Sequence, residues 1–268
     1  MPGASGRTLR QMLQQGRVRL NGEVCRVASH PVRPGDVLEI GHRLPAALEG
    51  GLKIVHEDRD VIVVHKPAGL LTVATPHENE NTAHALLRRH ARSRGGPATV
   101  FVVHRLDKFV SGLLVFAKSE SAQVVLKSLF EAHAIERRYW AIVEGRVKAD
   151  SGTIESRLAE DRAMRMRSTK HPREGKRAVT HYRVLRRFPE FTSLEITLET
   201  GRKNQIRVHL SELGHPIVGD RAYGSTKDPL GRMGLHAFRL GFMHPSRKKP
   251  MLFETEPPPE FCPYLSRP

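Results

Sequence analysis

From Leu52 onward the chain is a succession of short apolar runs cut by turn residues. These runs are too short for helices and rich in β-branched side chains. Ile54–His56, Val61–Val64, Val100–Val103 and Leu113–Phe116 read as strands. So do Tyr139–Val143, His181–Leu185 and Ser193–Thr200, the last alternating at Leu194, Ile196 and Leu198. Helical spacing is carried by two stretches. Ser121–His133 sets Ala122, Val125, Leu126, Leu129 and Phe130 on one apolar stripe, and Asn204–Leu213 is followed by Gly214, a helix-ending residue. Many strands with few helices predict an α+β domain rather than a regular βαβ array.

The first 45 residues read as a separate small α+β unit. Thr8–Gln15 has Leu9, Met12 and Leu13 at helical spacing, with Gly16 as a stop. Arg17–Leu20 is a strand ending in the turn signal Asn21-Gly22, Val24–Val27 returns, and Pro34-Gly35 turns into a third strand ending at Ile40. Such a unit buries little core alone. Arg7, Arg10, Arg17, Arg19, Arg26 and Arg33 read either as a solvated face or as a surface for nucleic acid. Residues 46–51 read as a linker and 52–268 as the main domain.

Charge narrows the partner. The chain carries 44 Lys and Arg against 28 Asp and Glu, a net charge of +16. That is the footprint of a polyanion binder, and nucleic acid is the commonest. The stretch from Arg157 to Arg187 holds eleven basic residues against three acids. Punctuated by Pro and Gly, it reads as partly loop and as a phosphate-contacting tract. Cys25 and Cys262 lie far apart, which excludes a disulfide framework and a cysteine zinc site. No HExxH or similar metal spacing occurs among the 15 His, which read as mostly surface or RNA-facing. Neither a signal-peptide core nor a window approaching about 18 apolar residues is present. A cytoplasmic, non-membrane protein is expected, with a monomer as the default.

The candidate chemistry centres on His104-Arg105-Leu106-Asp107, which follows an apolar run read as a buried strand. A carboxylate there, flanked by cations, is a candidate nucleophile or base; it is equally a turn cap or an ion-pair partner. Two further segments look site-like. In His65-Lys66-Pro67-Ala68-Gly69 the Pro and Gly force a turn and permit close approach of backbone to a ligand. Thr200–Leu210 runs from a strand into a helix whose start carries Arg202, Lys203 and Arg207, an arrangement suited to anions.

Taken in order, Lys-Pro-x-Gly, His-Arg-Leu-Asp-x-x-x-Ser-Gly-Leu-Leu, Arg-x-Tyr-x-Ala-x-Val-x-Gly at Arg137–Gly145, Thr-Gly-Arg-Lys-Asn-Gln-Ile-Arg-Val-His-Leu, Gly-His-Pro-Ile-x-Gly-Asp at Gly214–Asp220 and Leu-His-Ala at Leu235–Ala237 resemble the RluA family of RNA pseudouridine synthases. The resemblance spans roughly residues 52–257. The N-terminal unit resembles the small RNA-binding domain named after ribosomal protein S-four, with part of its first helix missing. The resemblance implies a mixed, mainly antiparallel central sheet with flanking helices. It also implies isomerisation of uridine to pseudouridine in ribosomal or transfer RNA, with no metal and no cofactor. Asp107 matches the family's essential aspartate, Arg105 the arginine that enters the RNA stack, Tyr139 the tyrosine that packs on the flipped uracil, and Arg207 the basic partner of the aspartate. Without the family, Tyr139 reads as a strand core aromatic and Arg207 as a surface helix arginine. Phe109 and Val110 depart from the family, which usually has an acidic residue and Thr there. They leave room for a non-catalytic RNA-binding or ribosome-assembly protein on the same fold. A hydrolase using Asp107 and His104 is a further alternative, one that would need paired carboxylates or a metal.

Overall fold

The computed structural model describes residues 5–14, 18–21, 23–25, 27–40, 47–93, 99–171 and 173–265. The chain divides into two compact units, residues 1–47 and 48–268.

In the first unit, helix α1 (Gly6–Gln14) precedes strands β1 (Val18–Leu20), β2 (Glu23–Cys25) and β3 (Leu38–Ile40). They form an antiparallel sheet in the order β2-β1-β3. Its two turns are tied together. The Asn21 carboxamide accepts from the Val37 amide at 2.9 Å and donates to Asp36 at 2.8 Å. Arg10 and Arg33 are exposed. Arg17 and Arg26, and the side chains of Arg7 and Arg19, lie outside the described residues.

The second unit begins with a single 3₁₀ turn (Glu49–Gly51), inside the stretch read as linker, and Leu48 packs on the core of this unit. It continues through β4 (Lys53–Glu57), β5 (Val61–Lys66), α2 (Ala83–Ser93), β6 (Phe101–Val102), β7 (Ser111–Ala117), α3 (Glu120–Glu131), β8 (Glu136–Glu144), β9 (Ser151–Glu160), β10 (Met166–Thr169), β11 (Lys176–Arg187), β12 (Phe191–Leu198), α4 (Gln205–Glu212), β13 (Leu235–Met243), β14 (Pro250–Glu254) and α5 (Cys262–Leu265). One sheet runs β10-β9-β11-β12-β8-β13-β7-β5-β4, with β14 added to β13 and β6 to β7. Every pairing is antiparallel except β13 with β7, so the sheet is mixed and mainly antiparallel, as expected.

Apolar alternation explains why both faces are covered. Along β5 and β7, Ile62, Val64, Leu114 and Phe116 join one core cluster, while Val61, Val63, Leu113 and Val115 join another with Ala122 and Leu126 of α3. Ser119 caps α3 by accepting from the Ala122 amide at 3.2 Å. The single parallel contact requires Gly112. Its φ is +118°, and a Cβ there would stand 2.1 Å from the Ala237 carbonyl oxygen. This close crossing of β13 over the start of β7 fixes the strand onto which Asp107 leads.

Three sequence-based expectations are corrected. The run Val100–Val103 is no buried strand. Only Phe101 and Val102 are in β6, and both are half-buried. The basic tract is mostly strand, because β9, β10 and β11 pair as antiparallel neighbours. Much of its charge is used internally: Arg177 binds Glu155 and Glu199, Arg183 binds Glu195, and Arg187 binds Asp150. The histidines are mostly not surface residues. His209, His236 and His244 are fully buried, and only His30, His77, His133 and His171 are exposed among the described residues.

His236 shows how a buried histidine is satisfied. Arg232 donates to Ser111 Oγ at 2.5 Å, Ser111 Oγ and His236 Nδ1 share a hydrogen bond at 2.6 Å, and His236 Nε2 shares one with Thr255 Oγ1 at 2.9 Å. Burial, with the charges of His65 and Arg232, pulls its pKa down to about 3. The native state thus excludes a proton that the unfolded chain takes up below about 6.5. Stability is fully present above pH 6.5 and falls as the pH drops toward 3. At pH 5 this one group removes about 2 kcal/mol. His104, lowered to about 3 by burial and then by Arg137, acts in the same direction. Urea denaturation at pH 7.5 and pH 5 is expected to show the loss. His236→Asn is expected to flatten it, and a profile identical to that of the parent removes His236 as a source.

Candidate active site

Asp107 lies in the loop between β6 and β7, and that loop is held from inside. Leu106 and Val110 on either side are 4% and 2% exposed and belong to the main core cluster. Thr72 Oγ1 brackets Leu106, donating to its carbonyl at 2.7 Å and accepting from its amide at 3.2 Å. The Asp107 carbonyl accepts from the Val110 amide at 3.1 Å, closing a tight turn. At the tip, the Lys108 carbonyl accepts from the Gly69 amide at 2.9 Å and from Lys66 Nζ at 3.1 Å. Lys66 is fully buried and also donates to the Pro67 and Leu70 carbonyls at 2.9 and 2.7 Å. The Lys-Pro-Ala-Gly turn therefore packs against the Asp107 loop. Burial pushes the Lys66 pKa down to about 7, with the Asp107 charge opposing. The three carbonyl acceptors favour its ammonium form.

The Thr72 clamp carries a prediction. Thr72→Val removes both bonds while keeping the shape of the side chain, which leaves a buried amide and carbonyl unpaired. Loss of about 1–3 kcal/mol is expected in urea denaturation. Turnover is expected to fall more than RNA affinity, because the loop moves and the phosphate contacts do not. Unchanged stability and turnover would show that Leu106 is held without Thr72.

All four candidate site residues line one cavity of about 430 Å³. Asp107 comes from the β6–β7 loop, Tyr139 from the middle of β8 and Arg207 from the first half of α4. Arg105 is exposed and forms no ion pair among the described residues. Tyr139 is 7% exposed. Burial raises the pKa of its phenol, with Arg137 opposing and Asp107 adding.

Arg207 is divided between two carboxylates. Nε and Nη2 donate to Asp220 at 2.7 and 2.9 Å, a two-pronged pair, while Nη1 reaches Asp107 at 3.3 Å and Asn204 Oδ1 at 3.1 Å. Its guanidinium lies over the Tyr223 ring, 4.6 Å from the centroid. Burial works against its charge, but Asp220 and then Asp107 hold its pKa above the ordinary value. Asp220, whose side chain is 1% exposed, is the anchor. Asp107 receives one N–H of Nη1 and keeps the rest of its carboxylate facing the cavity. Sequence reasoning missed Asp220, Asn204, Thr72 and Arg137. Asp220, Asn204 and Arg137 stood inside quoted motifs, yet neither spacing nor charge marks a partner such as Asp220, 13 residues from Arg207 on another element.

Other candidates are used elsewhere. His104 Nε2 accepts from the Val115 amide at 3.1 Å and its ring packs on Phe130, so it is a neutral structural group. Lys203 binds Glu160, and Arg202 donates to the Arg177 carbonyl at 3.1 Å. The α4 start is stitched down by Gln205. This residue is 2% exposed and accepts from Thr200 and the Arg202 amide while donating to Val179 and Thr180. Of the two departing residues, Val110 is a core anchor and Phe109 points out, 54% exposed, with Lys108 Nζ 5.5 Å from its ring centroid.

Outside the cavity, Asp58, Asp60 and His244 converge as a possible cation cluster. The Asp58 oxygens already accept from His56, His244 and the Asp60 and Val61 amides, so the group is satisfied as it stands. The cavity brings together the Asp107 carboxylate, an aromatic face and the guanidinium groups of Arg137 and Arg207. That combination suits a planar heterocycle that becomes charged during reaction.

A sequence model of the family described as RNA pseudouridylate synthase matches residues 60–212, and one of the S4 domain matches residues 1–38. The chain is 38% identical over 263 residues to a protein of Bacillus subtilis named uncharacterized RNA pseudouridine synthase YlyB, covering 95% of this chain and 86% of that one. It is 39% identical over 221 residues to ribosomal large subunit pseudouridine synthase D of Zymomonas mobilis, covering 77% and 69%. Among solved structures, human RNA pseudouridylate synthase domain containing 1 aligns with a TM-score of 0.64 at 28% identity, over 80% of this chain and 86% of that one.

Proposed function

The chain belongs to the RNA pseudouridylate synthase family, and on that premise we propose that it isomerises uridine to pseudouridine in structured ribosomal RNA, with Asp107 as the group that starts the reaction. The observation that carries the role of Asp107 is its carboxylate, held in a clamped loop, facing a cavity that Tyr139 lines and touched there by one N–H of Arg207. Ribosomal RNA is the first choice of target because relatives in Zymomonas mobilis and Xylella fastidiosa bear the name ribosomal large subunit pseudouridine synthase D.

The reaction breaks the bond from N1 of uracil to C1′ of ribose, turns the base and joins C5 to C1′, with no net redox change. A stacked base is out of reach, so the uridine is flipped out, at a cost of a few kcal/mol. Arg105, exposed at the mouth, offsets part of that by stacking where the base has left. Tyr139 supports one face of the flipped ring, and Arg207 orients Asp107 while Asp220 orients Arg207. Phosphate contacts come from the N-terminal unit and from basic residues without acidic partners, so affinity falls as salt rises. One chain supplies the whole site, and a monomer suffices. Among the described residues no helix is long and apolar enough to cross a membrane, and the cytoplasm, where ribosomal RNA is matured, is the proposed location.

The test is carbodiimide mapping of pseudouridine across the RNA of a deletion strain and of the same strain complemented with the gene. Loss of defined pseudouridines and their return on complementation is expected. An unchanged map at every position would sink the proposal, leaving the RNA-binding alternative that Phe109 and Val110 first suggested.

A further inference from the structure

Arg137 is a further cation lining the cavity, and the mechanism above makes no use of it. It precedes Tyr139 by two residues on β8, so both side chains leave the same face of the strand, and both line the cavity. The residue is 7% exposed, yet no carboxylate pairs with it among the described residues. Its Nε is buried without a hydrogen-bond partner. Its one hydrogen bond runs from Nη2 to the Glu199 carbonyl at a long 3.4 Å, and its guanidinium lies 5.3 Å from the Phe130 centroid. The fold makes room for this arrangement at Gly201, where a Cβ would stand 2.4 Å from Nη1.

A guanidinium carries five N–H donors, and burying it unpaired is destabilising. Arg207 and Arg232, the comparable half-buried arginines nearby, each have a carboxylate in Asp220 and Glu260. Glu131 also lines the cavity but is exposed and forms no ion pair with Arg137. Arg137 is therefore left to receive negative charge from outside the protein. A phosphodiester keeps its charge in solvent, whereas this part of the cavity is walled by Phe130, Leu198 and Tyr139. The part of the substrate that enters it is the base.

We propose that Arg137 is a further catalytic residue, which donates to the uracil oxygens while the detached base is an anion. This rests on the isomerase reading above. When the N1–C1′ bond breaks, the electron pair goes to N1 and spreads to O2 and O4. C1′, left electron-deficient beside the Asp107 carboxylate, is then attacked by C5 through a ring π pair; the C5 proton passes to that carboxylate and N1 takes up a proton from solvent, so atoms and electrons balance over the whole step. Uncleaved uridine is neutral, so the interaction is strongest after cleavage and accelerates it rather than merely binding substrate.

The experiment is single-turnover pseudouridine formation by the full chain, on a transcript of the RNA segment that loses pseudouridine in the deletion strain. Arg137→Met is expected to lower the maximal rate by about 10²–10³-fold, the range for one preorganised donor. RNA affinity should stay within twofold and the thermal midpoint be unchanged or higher, because an unpaired buried charge is replaced by an apolar chain. Gly201→Ala, which keeps Arg137 but puts a methyl where Nη1 stands, is expected to slow the reaction as a folded protein. Guanidinium ion added to Arg137→Ala is expected to restore part of the rate. An Arg137→Met rate within threefold of the parent overturns the proposal, as does a loss confined to affinity or a midpoint drop that guanidinium does not offset. A parent chain that forms no pseudouridine on any host RNA overturns the isomerase reading, and this proposal with it. A parent that forms it while Arg137→Met keeps pace overturns the role of Arg137 alone.

Discussion

Asp107→Asn is expected to reduce pseudouridine formation by about 10⁴-fold or more, which corresponds to about 5.4 kcal/mol of barrier. The substitution is nearly isosteric, and the Asn side-chain oxygen can still accept the 3.3 Å contact from Arg207. The loop is held by groups that do not involve the Asp107 side chain: Leu106 and Val110 in the core, Thr72 on the Leu106 backbone, and Lys66 on the Lys108 carbonyl. What is removed is the negative charge and the basic oxygen that the chemistry uses. RNA affinity, dominated by phosphate contacts outside the cavity, should stay within a few-fold. Single-turnover kinetics beside filter binding at a stated salt concentration measure both. Turnover within tenfold of the parent would remove Asp107 from its proposed role, and a parallel loss of affinity would assign it to binding instead.

The largest effect on stability is expected from Arg207→Leu. Asp220 keeps only 1% of its side chain exposed and has both oxygens on Arg207. Leucine leaves that carboxylate buried without a counter-charge, at a cost of about 3–5 kcal/mol. Asp107 loses its orienting N–H at the same time, so turnover should fall as well. Arg207→Lys should not rescue either property fully, since an ammonium is a point charge without the planar fork that serves Asp220 in parallel and Asp107 from its third nitrogen. A double variant, Arg207→Leu with Asp220→Leu, is expected to regain most of the stability and none of the activity. Urea midpoints for the three variants test the ranking. Equal stability of Arg207→Leu and the parent would mean that Asp220 is satisfied by other groups.

How far the sequence is readable depends on the range of the interaction. Several strands of the central sheet follow from local alternation: Tyr139–Val143 lies inside β8, and Ser193–Thr200 overruns the Leu198 end of β12 by two residues, while β9, β10, β13 and β14 went unread. Helix α2 went unread although Thr82 caps it from just outside, accepting from the Ala85 amide at 3.1 Å. Its apolar positions are few, and the cap alone is a weak signal. The basic tract misled because composition counts charges without their partners. Pairing of β11 with β9 and β12 sets Arg177 beside Glu155 and Glu199, a match made across strands and invisible along them. The histidines misled for the same reason. An imidazole with two suitable neighbours is as comfortable in the core as in water, and those neighbours lie up to 186 residues away.

By itself the sequence determined several of the strands and helices and the inventory of reactive groups. Alternation and turn residues are local properties, and a carboxylate after an apolar run, an aromatic in a strand and an arginine in a helix can all be named without a fold. Only the tertiary structure decided what those groups do to one another. It makes Asp220 the anchor of Arg207 and Asp107 the recipient of one spare N–H. It makes His104 a hydrogen-bonded core ring, and it leaves Arg137 buried in the cavity without an anion. The physical reason is that hydrogen bonding and charge pairing act over a few ångströms in space. The residues they join are separated by a hundred positions for Asp107 and Arg207 and by as many as 186 for His244 and Asp58.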